Sequence, residues 1–160
     1  MNEQNAGLRL RNLSVNDFGL LVKIETDPDN LVYSGLIAPP DLDDLIALIT
    51  NQGEFNDRKQ KRFTIEFNTQ AIGFVDLFDA DFDSKSCYVG IFVLPDFRMK
   101  KIALNALQLV QNEARKFNLT KLIAKCMNQN LASIALFRKA GFHTESSTNE
   151  FVVLQRSIDF

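Results

Sequence analysis

Residues 88–107, YVGIFVLPDFRMKKIALNAL, contain the transition that decides how the rest of the chain is read. The run YVGIFVL has almost no polar side chain, which suits a central strand covered on both faces. Pro95 ends it. From Ile102 onward, Ala103, Leu107, Val110, Ala114 and Phe117 form an apolar stripe, which predicts a helix over about 102–117. Between the two stand Arg98, Lys100 and Lys101. A helix start leaves four amides without intrahelical acceptors and carries about half a positive charge. Each basic side chain placed there costs about 0.3–1 kcal/mol. A bound anion would remove the conflict. A solvated basic turn with no ligand is the other reading of the charges.

On the N-terminal side, KRFTIEF (61–67), AIGFVDLF (71–78) and CYVGIFV (87–93) are short runs rich in Phe, Val and Ile. They read as strands joined by a tight NTQ turn and a longer acidic loop, DADFDSKS. LRLRNL (8–13) alternates as a half-exposed first strand should. SVNDFGLLVKIE reads as a short helix with Ser14 at its N-cap, and DLDDLIALITNQG as a second helix stopped at Gly53. DPDNLVYSGLIAPP, between them, reads as a loop. On the C-terminal side KLIAKCM predicts a strand, SIALFRKA a fourth helix ended by Gly141, and FVVLQRSI a last strand. The class is α/β or α+β in a single domain over 1–160, with helices covering a mostly antiparallel sheet.

Composition narrows the function. The chain has 160 residues, 46% of them apolar, enough for one proper core. With 18 basic against 20 acidic residues, nothing suggests a general nucleic-acid binder. No apolar run approaches the length of a membrane span, and the polar start MNEQNAGLRLRN carries no signal segment, so the expectation is a cytoplasmic protein without membrane contact. Cys87 and Cys126 are isolated and read as buried reduced thiols. One histidine, His143, leaves no basis for a structural zinc or a histidine-centred triad, so no metal is expected.

The stretch YVGIFVLPDFRMKKIALNAL together with NQNLASIALFRKAGF resembles the GNAT N-acetyltransferases, in particular their RimJ/RimL-type branch. The resemblance implies the GNAT fold: a mixed, mostly antiparallel sheet of about seven strands flanked by four helices, with splayed central strands. It implies acetyl-CoA as cofactor and an amine as acceptor, either a small molecule or a protein N-terminus, in a monomer or homodimer. The family's R/Q-x-x-G-x-G/A turn, whose amides hold the cofactor diphosphate, is matched by Arg98, Met99, Lys100, Lys101, Ile102 and Ala103. The backbone of Phe92, Val93 and Leu94 would pair with the pantetheine arm. The downstream N-x-x-S-I-x-L-[FY]-x-K-x-G-F pattern is matched by Asn130, Ser133, Ile134, Leu136, Phe137, Lys139, Gly141 and Phe142. Asn130 and Ser133 fit a cofactor contact and a helix cap equally.

The matches are incomplete at chemically telling places. Lys101 stands where the family has its middle glycine, and Met99 where another is common. Tyr88 takes the place of a frequent glutamate base, and Phe137 that of a frequent tyrosine acid. Glu66 and Asp76 on neighbouring strands remain as base candidates, although a solvent-facing strand position would hold such residues too. The expected activity is acetyl transfer to a primary amine; the alternative is a catalytically weak CoA- or acyl-CoA-binding module of the same fold.

Overall fold

The computed structural model describes residues 6–34 and 38–159. The polar start MNEQN and positions 35–37 of the 27–40 segment lie outside the described residues. Strand β1 (Leu8–Asn12) is followed by a 3-10 turn and helices α1 (Phe18–Glu25), α2 (Pro28–Ser34), α3 (Leu42–Thr50) and α4 (Phe55–Arg58). Strands β2 (Lys61–Phe67), β3 (Gln70–Asp81) and β4 (Ser86–Val93) form a meander. Helix α5 (Ile102–Lys116) then crosses to β5 (Lys121–Met127), and α6 (Leu131–Lys139) leads to β6 (His143–Ser147) and β7 (Phe151–Ser157). The sheet has seven strands in the order β1-β2-β3-β4-β5-β7-β6. Among the described strands only β4 and β5 pair in parallel, an arrangement that needs a crossover, which α5 supplies.

The expected fold is present, with local differences that have physical causes. Helix α2 occupies a segment read as loop: Pro28 stands at its first position, where a missing N–H costs nothing. Helix α3 ends at Thr50 with Asn51 as its C-cap, before Gly53. Strand β6, HTESS, is wholly exposed at the sheet edge and so carries no apolar alternation to reveal it. The NTQ turn is tight because Asn68 and Thr69 both take positive φ, the conformation a two-residue hairpin turn needs.

Two cores sandwich the sheet. On one face Ile65, Val75, Leu77 and Val89 pack with Leu107, Val110 and Ala114 of α5 and Ile134 of α6. On the other, Phe74 packs with Leu21 and Ile24 of α1 and Leu45 of α3. Strand β4 divides between them: Cys87, Val89 and Val93 are buried beneath α5, while Tyr88, Gly90 and Phe92 are half-buried on the α1–α3 face. Among the described residues no helix is long and apolar enough to cross a membrane.

Candidate acetyl-transfer site

The strands on either side of the sheet centre part company. Ser86 pairs with Lys121, Cys87 with Leu122 and Tyr88 with Ile123. Beyond that point the register of β4 continues only with β3, and that of β5 only with β7. The later half of β4 therefore keeps one open edge. Its polarity is settled by two observations. The Leu94 N–H donates to the Ile72 carbonyl at 2.8 Å, and the Phe92 carbonyl faces Gly73 so closely that an added Cβ there would collide with it. Successive strand residues turn their polar groups to opposite edges. Val93, between the two, turns its own into the opening, and by the same period so does Ile91. Of the residues expected to face a cofactor arm, Val93 thus presents its backbone to the gap, while Phe92 and Leu94 present theirs to β3. Ile91 was missed, although the strand period counted from Val93 would have found it.

At the mouth of this opening lies the basic turn. Met99 has φ of 63° and Lys101 φ of 60° and ψ of 9°. These L-residues adopt the left-handed conformation that glycine adopts freely, at about 1–2 kcal/mol each. A left-handed residue followed by the right-handed Ile102 turns successive amides to the same side, the geometry of an anion-binding nest. The first intrahelical bond of α5 runs from the Asn105 N–H to the Lys101 carbonyl, so the amides of Ile102, Ala103 and Leu104 have no intrahelical acceptor. No side chain caps this end and no acidic residue lies in its first turn. Arg98, Met99, Lys100 and Lys101 are exposed, Ile102 is buried and Ala103 half-buried. The donor set of this turn fits a diphosphate, and the open strand edge fits an amide-bearing arm.

The downstream motif is largely architectural. Asn130 is the N-cap of α6, its Oδ1 accepting from the Ser133 N–H at 3.2 Å. Phe137 is buried and meets Phe142 edge-on at 5.0 Å. Gly141 ends the helix at φ of +87°.

The titratable candidates occupy unlike settings. Glu66 accepts from Arg9 Nε and Arg11 Nε, both at 2.6 Å, and these hydrogen bonds hold its carboxyl below the usual carboxylate range. Arg11 continues the chain to the buried Asp17 in a two-pronged contact at 2.8 Å, and Thr64 Oγ1 donates to the same aspartate. Glu66 lies on β2, which β3 separates from β4, and it is fully engaged. Asp76 stands in register with Gly90 of β4, both its oxygens held by Arg62 at 2.6 and 2.7 Å, while Arg62 also reaches Glu25 of α1. Tyr88 is the residue at which the strands part, its ring stacked on Phe78. Arg62, Glu25 and Phe78 complete this cluster. The Arg62 and Glu25 roles had no sequence signal, because their partners lie far away along the chain. A cleft of about 460 Å³ between α3 and β3 is lined by Asp44, Leu48, Arg58, Arg62, Asp76 and Phe78, among others. Two of its lining residues, Asp76 and Phe78, are the register partners of Gly90 and Tyr88 on β4.

Comparison with known proteins agrees with this geometry. The spermidine N-acetyltransferase of Vibrio cholerae, solved with CoA and spermine, superposes with a TM-score of 0.84 at 19% identity, covering 96% of each chain. The Salmonella typhimurium acetyltransferase that modifies the N-terminal serine of ribosomal protein L7/L12 gives 0.81 at 18%, covering 98% of each. The microcin C7 self-immunity acetyltransferase, solved with acetyl-CoA and AMP, gives 0.78 at 18%, covering 97% of this chain and 94% of its own. None of the curated proteins compared with the chain matches it in sequence. The family model described as the acetyltransferase (GNAT) domain matches residues 7–143, and the chain therefore belongs to the GNAT acetyltransferase family.

Proposed function

We propose that this protein transfers the acetyl group of acetyl-CoA to a primary amine in the manner of the RimJ/RimL-type enzymes, with the cofactor held along the open edge of β4 and the turn 98–103. The observation that carries this reading is the end of β4–β5 pairing at Tyr88 and Ile123, next to a helix start whose amides are turned outward. The amides of Lys101 to Leu104 would hold the diphosphate, with Arg98, Lys100 and Lys101 supplying charge. Ile91 and Val93 would pair with the arm as a further strand does. Asn130 and Ser133 form the cap of α6, and the same two side chains would contact the cofactor.

Acetyl-CoA supplies an activated thioester, and a thiol is acidic enough to leave as the thiolate without obligatory protonation. The chain's task is then to orient an amine and take its charge away. Asp76, both its oxygens held by Arg62, puts a carboxylate on the wall of the cleft by which an amine would enter, and the cleft gives the ammonium proton a route to water. The Tyr88 hydroxyl stands at the fork of the strands, where it can donate a hydrogen bond to the leaving sulfur. Glu66, locked between two guanidiniums, takes no part in proton transfer. The acceptor is a small-molecule amine or a protein N-terminus, the classes on which the spermidine and L7/L12 enzymes act. The free thiols of Cys87 and Cys126 support work in the reducing cytoplasm.

Titration calorimetry with acetyl-CoA, followed by thiol release against a panel of amines, tests this directly. Micromolar binding with release on at least one amine is expected. Binding without release across the panel would favour the second reading, a CoA- or acyl-CoA-binding module. The engaged Glu66 and the buried, hydroxyl-free Phe137 are the observations that motivate that alternative.

A further inference from the structure

Arg98, the first residue of the basic turn, also closes the strand edge. Its Nε donates to the Val93 carbonyl at 2.8 Å, and its guanidinium lies over the Phe92 ring, 5.2 Å from the centroid. Val93 is the residue whose polar groups face the opening, so the carbonyl best placed to receive an incoming amide is already satisfied from within. The contact spans only five residues of chain, so little loop entropy opposes it. A guanidinium nevertheless prefers a phosphate to a neutral carbonyl, because the charged pair forms two parallel, stronger hydrogen bonds. The turn that offers amides to a diphosphate begins at this same residue.

We infer that Arg98 is an internal stand-in for the cofactor's amide arm, released when a diphosphate docks on the turn, so that the protein selects complete CoA thioesters over thioesters bearing the arm alone. The inference rests on the cofactor placement proposed above. A diphosphate draws the guanidinium outward, and the Val93 carbonyl becomes free for the arm. A thioester without phosphates must displace the guanidinium and gives it nothing in return. The two halves of one ligand are thereby coupled through a single side chain.

Calorimetry on the full chain tests the coupling with acetyl-CoA, S-acetyl-pantetheine and inorganic diphosphate as separate probes. In the native protein, saturating inorganic diphosphate is expected to tighten S-acetyl-pantetheine binding by about three- to tenfold, the worth of one hydrogen bond released from competition. In Arg98→Ala the S-acetyl-pantetheine affinity rises by about the same factor without diphosphate, the diphosphate effect disappears, and acetyl-CoA binds more weakly than to the native protein. A native thermal midpoint for the variant shows that its fold is intact, and the diphosphate experiment on the native chain needs no variant. Diphosphate that leaves S-acetyl-pantetheine binding unchanged or weakens it, while acetyl-CoA still binds, overturns the inference alone. Failure of acetyl-CoA itself to bind the native protein overturns the site reading beneath it.

Discussion

Phe78 and Tyr88 lie in register on neighbouring strands with their rings stacked, centroids 5.6 Å apart and planes inclined by 27°. The stack holds the Tyr88 ring against β3 at the fork of the sheet. Tyr88→Phe keeps the stack and deletes only the hydroxyl. We expect kcat to fall about a hundredfold, the low end for a positioned proton donor, with acetyl-CoA affinity and thermal midpoint unchanged. Steady-state thiol release and calorimetry on the same preparation check this; a matching loss of affinity would make the hydroxyl a binding group instead.

The left-handed Lys101 makes a prediction about stability. Glycine enters this region without the Cβ clash that an L-residue meets there. Lys101→Gly should stabilise the protein by about 1 kcal/mol, raising the thermal midpoint by about 2–4 °C. Lys101→Val should lower it, since a branched side chain is still less tolerant of positive φ. Thermal melts of the two variants should move in opposite directions; a common direction would show that the turn relaxes instead of holding its conformation.

Gly73 is a spacing requirement. Its missing Cβ leaves room for the Phe92 carbonyl, and any side chain there must push β4 away from β3. Gly73→Ala is expected to cost about 1–3 kcal/mol and to weaken acetyl-CoA binding, because the displaced strand carries the Val93 edge. Denaturant unfolding measures the first effect and calorimetry the second. Stability lost with affinity retained would separate the position of β4 from cofactor recognition.

The arginine–carboxylate chain that ties β1 and β2 to the turn before α1 sets the acid limit. Arg9 and Arg11 hold Glu66 below the ordinary carboxylate range. Burial alone would raise Asp17, but the Arg11 guanidinium, the Ser14 N–H and the Thr64 hydroxyl outweigh it and bring it down. For a carboxyl lowered on folding, the stabilisation is complete above its unfolded value of about 4 and is lost as pH falls through the folded value. Thermal midpoints should therefore drop steeply as pH falls below about 4. Asp17→Asn should lower the midpoint at neutral pH and flatten that acid slope. An unchanged slope would sever the link between this network and acid stability.

Strand β4 and helix α5 were legible because their apolar patterns follow their own periods, and Ser14 because a capping residue acts locally, although it caps the 3-10 turn Val15–Asp17 and α1 begins only at Phe18. The segments that hid themselves did so for reasons of chemistry. HTESS has no buried face to advertise a strand, and the proline of DPDNLVYS signals a break where it in fact starts a turn of helix. The candidate site divides in the same way. The basic turn could be placed from residues 98 to 103, but its glycine-like backbone could not, because methionine and lysine give no warning of positive φ. Glu66 and Asp76 could be named as carboxylates, yet what sets their chemistry is Arg9, Arg11 and Arg62. Those partners meet them only once distant strands are laid side by side.

Strands β1 to β4 form one plate and β5 to β7 another, riveted together at a single corner by Ser86, Cys87 and Tyr88 against Lys121, Leu122 and Ile123. Past that corner the plates share only the core beneath α5 and α6, and their strands run on to Val93 and Met127 with no ladder between them. The tyrosine stands at the last rung, so whatever fills the wedge is measured from its position.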